Sequence, residues 1–138
     1  MQTLSSFIKE ESVSNINLSK VLKNIGKNKD FIKLLNEYDY EYSITDYPSK
    51  DELINGLCDC VQYFIYKEYG NAFKYYSINN GYNAHKIIFD PSDNLYKDGY
   101  DYKGKSNFKD LYWYKKIKDQ YDNYGNYNLE EVKPQIDV

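Results

Sequence analysis

Apolar side chains along this chain change their period near residue 70, from a helical repeat to a strand-like one. Before that point Leu18, Val21, Leu22 and Ile25 recur at helical spacing between Asn17 and Gly26, and Phe31, Leu34, Leu35 and Tyr38 repeat the pattern behind Asn28. Residues three and four apart share a helix face and asparagine is a good N-cap, so two short helices in tandem are predicted. A shorter repeat at Leu4, Phe7 and Ile8 predicts another helix near the N-terminus. The strongest signal lies at 50–69, where Ser49 and Glu52 make a capping box behind Pro48 and Gly70 is placed as a stop. Leu53, Ile54, Leu57, Cys58, Val61, Phe64 and Ile65 cover a wide arc there, which predicts one continuous central helix.

Beyond Gly70, segments 72–78 and 83–89 flank Asn79-Asn80-Gly81, residues that tolerate the positive φ of a hairpin loop. Asp90-Pro91-Ser92-Asp93 marks the next turn, and short strands near 94–97 and 100–103 surround Asp98-Gly99. A closing helix over 107–121 presents Phe108, Leu111, Tyr114, Ile117 and Tyr121 along one stripe. The reading is a single α+β domain over 1–122: N-terminal helices and a central capped helix packed with a short antiparallel β-meander, closed by a C-terminal helix. Residues 123–138 are expected to form an extended or flexible tail.

At 138 residues a real core is attainable, and 18% aromatic content argues against disorder. The chain has 18 tyrosines and 18 cations, every one of them lysine. Tyrosine joins a large apolar ring to a hydroxyl that can stay wet, which suits core margins and partner-facing surfaces. Lysine lacks the planar bidentate fork that usually reads guanine edges, so base-specific DNA recognition is handicapped. Lys, Asn, Tyr and Ile are also the residues that AT-rich coding sequence favours. No apolar run is long enough to span a bilayer and the first residues lack a signal-peptide pattern, so the sequence reads as cytosolic, with no membrane partner.

Candidate chemistry is sparse. The chain shows no phosphate loop, no Gly-x-Gly-x-x-Gly and no zinc-type Cys/His spacing, and no cofactor is expected. Cys58 and Cys60 diverge by about 200° on a helix and cannot bridge each other, so they read as reduced thiols packed in the core. The one histidine, His85, falls inside a predicted strand and reads as structural, so no catalytic residue is assigned. Asp90, Asp93, Asp98 and Asp101 gather around two turns, a set that could collect an oxygen-loving cation, although aspartate is also the ordinary residue of turns.

Charge is uneven along the chain. Residues 1–37 carry six lysines against four acids, and residues 38–62 carry one lysine against six acids. Between Leu18 and Leu35, two helices around Gly26 resemble a helix-turn-helix, with Lys20, Lys23, Lys27, Lys29 and Lys33 available to phosphate. In the acidic stretch, Asp39, Tyr40, Glu41, Tyr42, Asp46 and Tyr47 interleave carboxylates with phenols. Carboxylates spaced along a surface can imitate a phosphate backbone, and rigid tyrosines add contact area. Within it, Ser43-Ile44-Thr45-Asp46-Tyr47 before a helix resembles the Ser-Ile-Ser-Asp-Tyr opening of colicin-type nuclease immunity proteins, a likeness of five residues with no counterpart for the 42 upstream.

The expected function is therefore a non-enzymatic protein-binding factor. It would be a small inhibitor or immunity or anti-defence protein from an AT-rich bacterium, phage or plasmid. Its partner would be another protein, including one that itself binds nucleic acid, met through the 39–47 patch. The alternative is a nucleic-acid binder using the Lys20–Lys33 face.

Overall fold

A computed structural model describes residues 16–120 and 126–136. The helix expected near Leu4 lies outside them. The N-terminal pair forms where the sequence places it: α1 spans Leu18–Lys23 and α2 spans Lys29–Glu37, joined by a 3₁₀ turn at Ile25–Lys27. Asn17 and Asn28 both act as N-caps, with Asn17 Oδ1 accepting from Lys20 N–H and Asn28 Oδ1 from Asp30 and Phe31 N–H. Each satisfies a first-turn donor that has no partner inside the helix.

The expected continuous helix at 50–69 is two helices. Helix α3 spans Lys50–Ile54 behind the reciprocal Ser49–Glu52 capping box, and α4 spans Cys58–Tyr69. Between them Asn55 is extended and Gly56 takes φ +100°, a conformation that residues with a Cβ avoid. The apolar arc runs unbroken across this joint, which is why periodicity alone merges the two segments. The break makes Cys58 the first residue of a helix.

The sheet has four antiparallel strands in the order β3-β2-β1-β4. Strands β1 (Lys74–Asn79) and β2 (Ala84–Asp90) make the predicted hairpin, and β3 (Leu95–Lys97) follows the Asp90 turn. The strand expected at 100–103 is a loop, after which the chain meets β3 in an isolated bridge between Tyr96 and Lys105. Asp98 explains this, because its Oδ1 accepts from the N–H of Tyr100 and Asp101 and curls the chain away. The closing helix starts later than expected, as α5 over Tyr112–Gln120 behind a 3₁₀ turn at Phe108–Asp110. In the predicted tail, β4 (Asn128–Glu131) pairs with β1 along Tyr76–Asn79.

The pleat sorts the strands between two apolar clusters. Tyr75 and its partner Ile88 join Leu22, Phe31, Leu35, Val61 and Ile65 of α1, α2 and α4. Ile78 and Ile87 instead join Leu111, Trp113 and Tyr127. Helices thus cover both faces, and among the described residues none is long and apolar enough to cross a membrane.

Beside this core lies a buried cation. Lys97 Nζ reaches Asp90 Oδ2 at 2.9 Å and Asp93 Oδ2 at 2.6 Å. Burial works against the Asp90 charge, but Lys97 together with the hydroxyl and N–H of Ser92 outweighs it and holds the carboxyl below its ordinary range. Replacing the ammonium by an apolar group, as in Lys97→Met, is expected to strand that carboxylate and cost about 3 kcal/mol of stability. The fall would be read from the urea midpoint, and an unchanged midpoint would show that Lys97 adds no net stability.

Candidate functional site

Strand β3 pairs only with Ile88–Asp90, so the first half of β2 has no neighbour on that side. His85 lies in this half, and Asp98 is the residue at which the chain leaves β3. His85 Nε2 meets Asp98 Oδ2 at 2.8 Å in an environment closed to water. Two backbone N–H groups hold the other Asp98 oxygen, at 2.9 and 2.6 Å, so the carboxylate cannot turn away from the ring. Trp113 covers the imidazole in a parallel stack, centroids 4.8 Å apart and planes 18° apart. Asp101 fixes that cover in place, because its Oδ2 accepts from the N–H of Tyr112 at 2.7 Å, at the start of α5.

The second ring nitrogen, Nδ1, is buried with no conventional hydrogen-bond partner among the described residues. The other group acting on the ring is the Cys58 thiol, whose influence is electrostatic. The Lys86 N–H of β2 also favours the thiolate of Cys58.

The electrostatics agree with this arrangement. Burial alone would push His85 toward neutrality, but the hydrogen bond to Asp98 and the electrostatic pull of Cys58 and Asp98 prevail, raising its pKa to about 9. Burial likewise opposes a thiolate at Cys58, yet the His85 hydrogen bond and charge and the Lys86 N–H bring its pKa below the usual thiol value. Cys60, two residues on, has no such support, and burial followed by the Asp59 carboxylate pushes it up to about 12. The two cysteines are thus shifted in opposite directions.

Sequence reasoning treated Cys58, Cys60 and His85 separately and grouped Asp98 with three other turn acids. The structure divides those acids: Asp90 and Asp93 hold Lys97, Asp98 holds His85, and Asp101 holds the start of α5. Among the described residues no group of three or more His, Cys, Asp or Glu is arranged to hold a metal ion. The overlooked signal was Gly56 two residues before a cysteine, followed by one histidine in a strand and an aspartate after the next strand.

The acidic tyrosine segment lies on the surface. Asp39, Glu41 and Asp46 are exposed, while Tyr42 is half-buried, clamped by the Asn36 amide through its backbone N–H and C=O and by its hydroxyl to Glu52. Glu52 raises the Tyr42 pKa to about 12. Tyr40 stacks on Tyr42, and its phenol feels Cys60, Asp59 and Cys58, which places the segment beside the start of α4. Tyr47 lies under the Lys27 ammonium, 5.0 Å from its ring centroid.

The five lysines of the helix-turn-helix-like segment do not share one environment. Lys23 and Lys27 line a cavity with Tyr47 and Lys50. Lys33 borders another with Asp30, Glu37 and Glu68, while Lys20 and Lys29 are exposed outside both. Leu34, which would face the groove in a helix-turn-helix, is buried in the core. Set against protein-family models, curated proteins and solved structures, the chain matches none of them.

Proposed function

We propose that this protein is a thiol enzyme of the acyl-transfer class, acting on an amide, ester or thioester carbonyl. The observation that supports the reading is the buried His85–Asp98 pair, whose ring acts electrostatically on Cys58 at the first turn of α4, an order that would put nucleophile, base and orienting carboxylate in series. Cys58 attacks the carbonyl carbon as a thiolate, forming a C–S bond while the carbonyl electron pair moves to oxygen. First-turn N–H groups of a helix have no intrahelical acceptor, so the backbone N–H of Cys58 is a donor for that oxyanion. Collapse expels the leaving group, which takes its proton from His85 Nδ1. Water or another nucleophile then gives its proton to Nδ1 and releases the acyl group from sulfur. Asp98 keeps the ring aligned and stabilises the imidazolium throughout.

Acylation tests this directly. With p-nitrophenyl acetate as probe, intact-mass spectrometry should show one acetyl group on wild-type protein and on Cys60→Ala, and none on Cys58→Ala. His85→Ala should slow acylation by about 10²–10⁴-fold. Equal acetylation of Cys58→Ala and wild type would sink the proposal.

The pH dependence follows from the two shifts. The thiolate–imidazolium pair exists above the lowered Cys58 pKa and below the His85 value of about 9. Turnover of the ester should therefore be bell-shaped, with its alkaline limb near 9. Alkylation of Cys58 by iodoacetamide should reach half its maximal rate below the ordinary thiol pKa of about 8.5, and His85→Ala should move that midpoint upward. A midpoint that does not respond to His85→Ala would remove the base from the scheme.

A second reading, a protein-binding factor of the inhibitor or immunity type, is supported by the exposure of the 39–47 segment, where Tyr40, Ile44 and Tyr47 are 36, 55 and 40% accessible. Its contacts would be Asp39, Tyr40, Glu41, Tyr42, Asp46 and Tyr47. Changing Asp39, Glu41 and Asp46 together to Ser should then abolish capture of a protein partner while leaving Cys58 alkylation unchanged. Capture that survives the triple change would rule out this surface.

A further inference from the structure

We infer that the cavity between the Ile25–Lys27 turn and the Tyr47–Lys50 segment is a binding site for a compact phosphate-bearing anion. The inference is independent of the thiol reading. The cavity measures about 300 Å³ and is lined by Lys23, Lys27, Lys50, Tyr47, Pro48 and Leu53, among others, with no carboxylate in its wall. It exists because two segments approach closely: a Cβ on the buried Gly26 would stand 3.0 Å from the Pro48 carbonyl oxygen.

The three lysines of its wall are held by aromatic rings rather than by carboxylates. Lys50 Nζ and Lys23 Nζ lie 4.9 and 6.0 Å from the centroid of one ring, Tyr102, and Lys27 Nζ lies 5.0 Å from that of Tyr47. The ion pairs among the described residues all belong to Lys97 or His85, so none of these three lysines has a carboxylate partner there. An aromatic face attracts each cation, but a shared ring leaves two like charges close together. A bound anion removes that repulsion.

Phosphate chemistry fits best. A phosphate group brings close to two negative charges and three strong acceptor oxygens, matching three mobile ammonium donors. The volume is at the low end for small-molecule sites and suits a phosphate or diphosphate head with a small organic group against the Tyr47 ring. A nucleic-acid strand would need lysines that continue along a track. Lys20 and Lys29 lie outside the cavity and Lys33 borders a separate one with three acids, so a small ligand is favoured over a strand.

Calorimetric titration of the full chain with inorganic pyrophosphate at low salt tests the site. One saturable binding event is expected, weakened at least about tenfold in Lys23→Gln/Lys50→Gln. The control Lys29→Gln/Lys33→Gln removes the same charge outside the cavity and should bind like wild type. Thermal melts of both variants verify that the fold is kept. Absence of saturable heat would overturn the inference, as would equal weakening in both variants, which would mean a response to net charge alone. A single-stranded oligonucleotide that binds more tightly than pyrophosphate, and that loses affinity in the Lys29/Lys33 variant, would equally overturn it in favour of a strand-binding face.

Discussion

Between His85 and Asp98 runs a hydrogen bond from which water is excluded, and the charge state of the surrounding site depends on it. A buried imidazole left to itself is driven neutral, and burial is the largest influence on His85. Asp98 reverses that outcome only because it is itself immobilised, with one oxygen on His85 and the other on two backbone N–H groups. Trp113 closes the face of the ring, and Asp101 secures the helix that carries Trp113. The assembly leaves one imidazole nitrogen unassigned beside a single thiol.

The place of that thiol in the chain is set by an interrupted helix. In one continuous helix over 50–69, Cys58 would sit in the middle, its N–H spent on a carbonyl one turn back. Gly56 at φ +100° ends α3 and restarts the chain, so Cys58 lies in a first turn whose N–H groups have no internal acceptor. The effect is local. Cys60 is on the same helix and is more deeply buried, yet it is pushed in the opposite direction, because neither His85 nor the Lys86 N–H reaches it. Gln62, one turn after Cys58, ties α4 to the sheet by donating from Nε2 to the carbonyls of Tyr76 and Ile87, both at 2.9 Å. Tyr76 and Ile87 are paired across β1 and β2, so α4, which carries Cys58, and β2, which carries His85, are fastened to each other.

Much of the fold is legible in the sequence because it depends on local chemistry. Asn17, Asn28 and Ser49 announce helix starts, Gly70 a stop, and Asn80-Gly81 a hairpin, and each does so with atoms a few residues away. The helix break at Gly56 was hidden by apolar positions that stay in phase across it. The strand expected at 100–103 was lost to an Asp98 side chain that caps its own turn, and β4 depends on a partner strand distant in sequence. The site is harder to read for the same reason. Cys58, His85 and Asp98 come together only through the register of β2 and the shortness of β3, neither of which a periodic pattern encodes.

The abundance of tyrosine and the absence of arginine also acquire a physical connection. An ammonium is a strongly hydrated point charge with no flat face of its own, so it needs either a carboxylate or an aromatic ring to be held at a defined place. Lys97 takes the first course, buried between Asp90 and Asp93. Lys23, Lys27, Lys50 and Lys116 take the second, each over a tyrosine ring. A ring holds a cation without neutralising it, so cations seated in this way keep their charge available to a ligand, whereas Lys97 does not. Composition that AT-rich coding favours thus becomes, in the folded chain, a means of keeping lysines positioned.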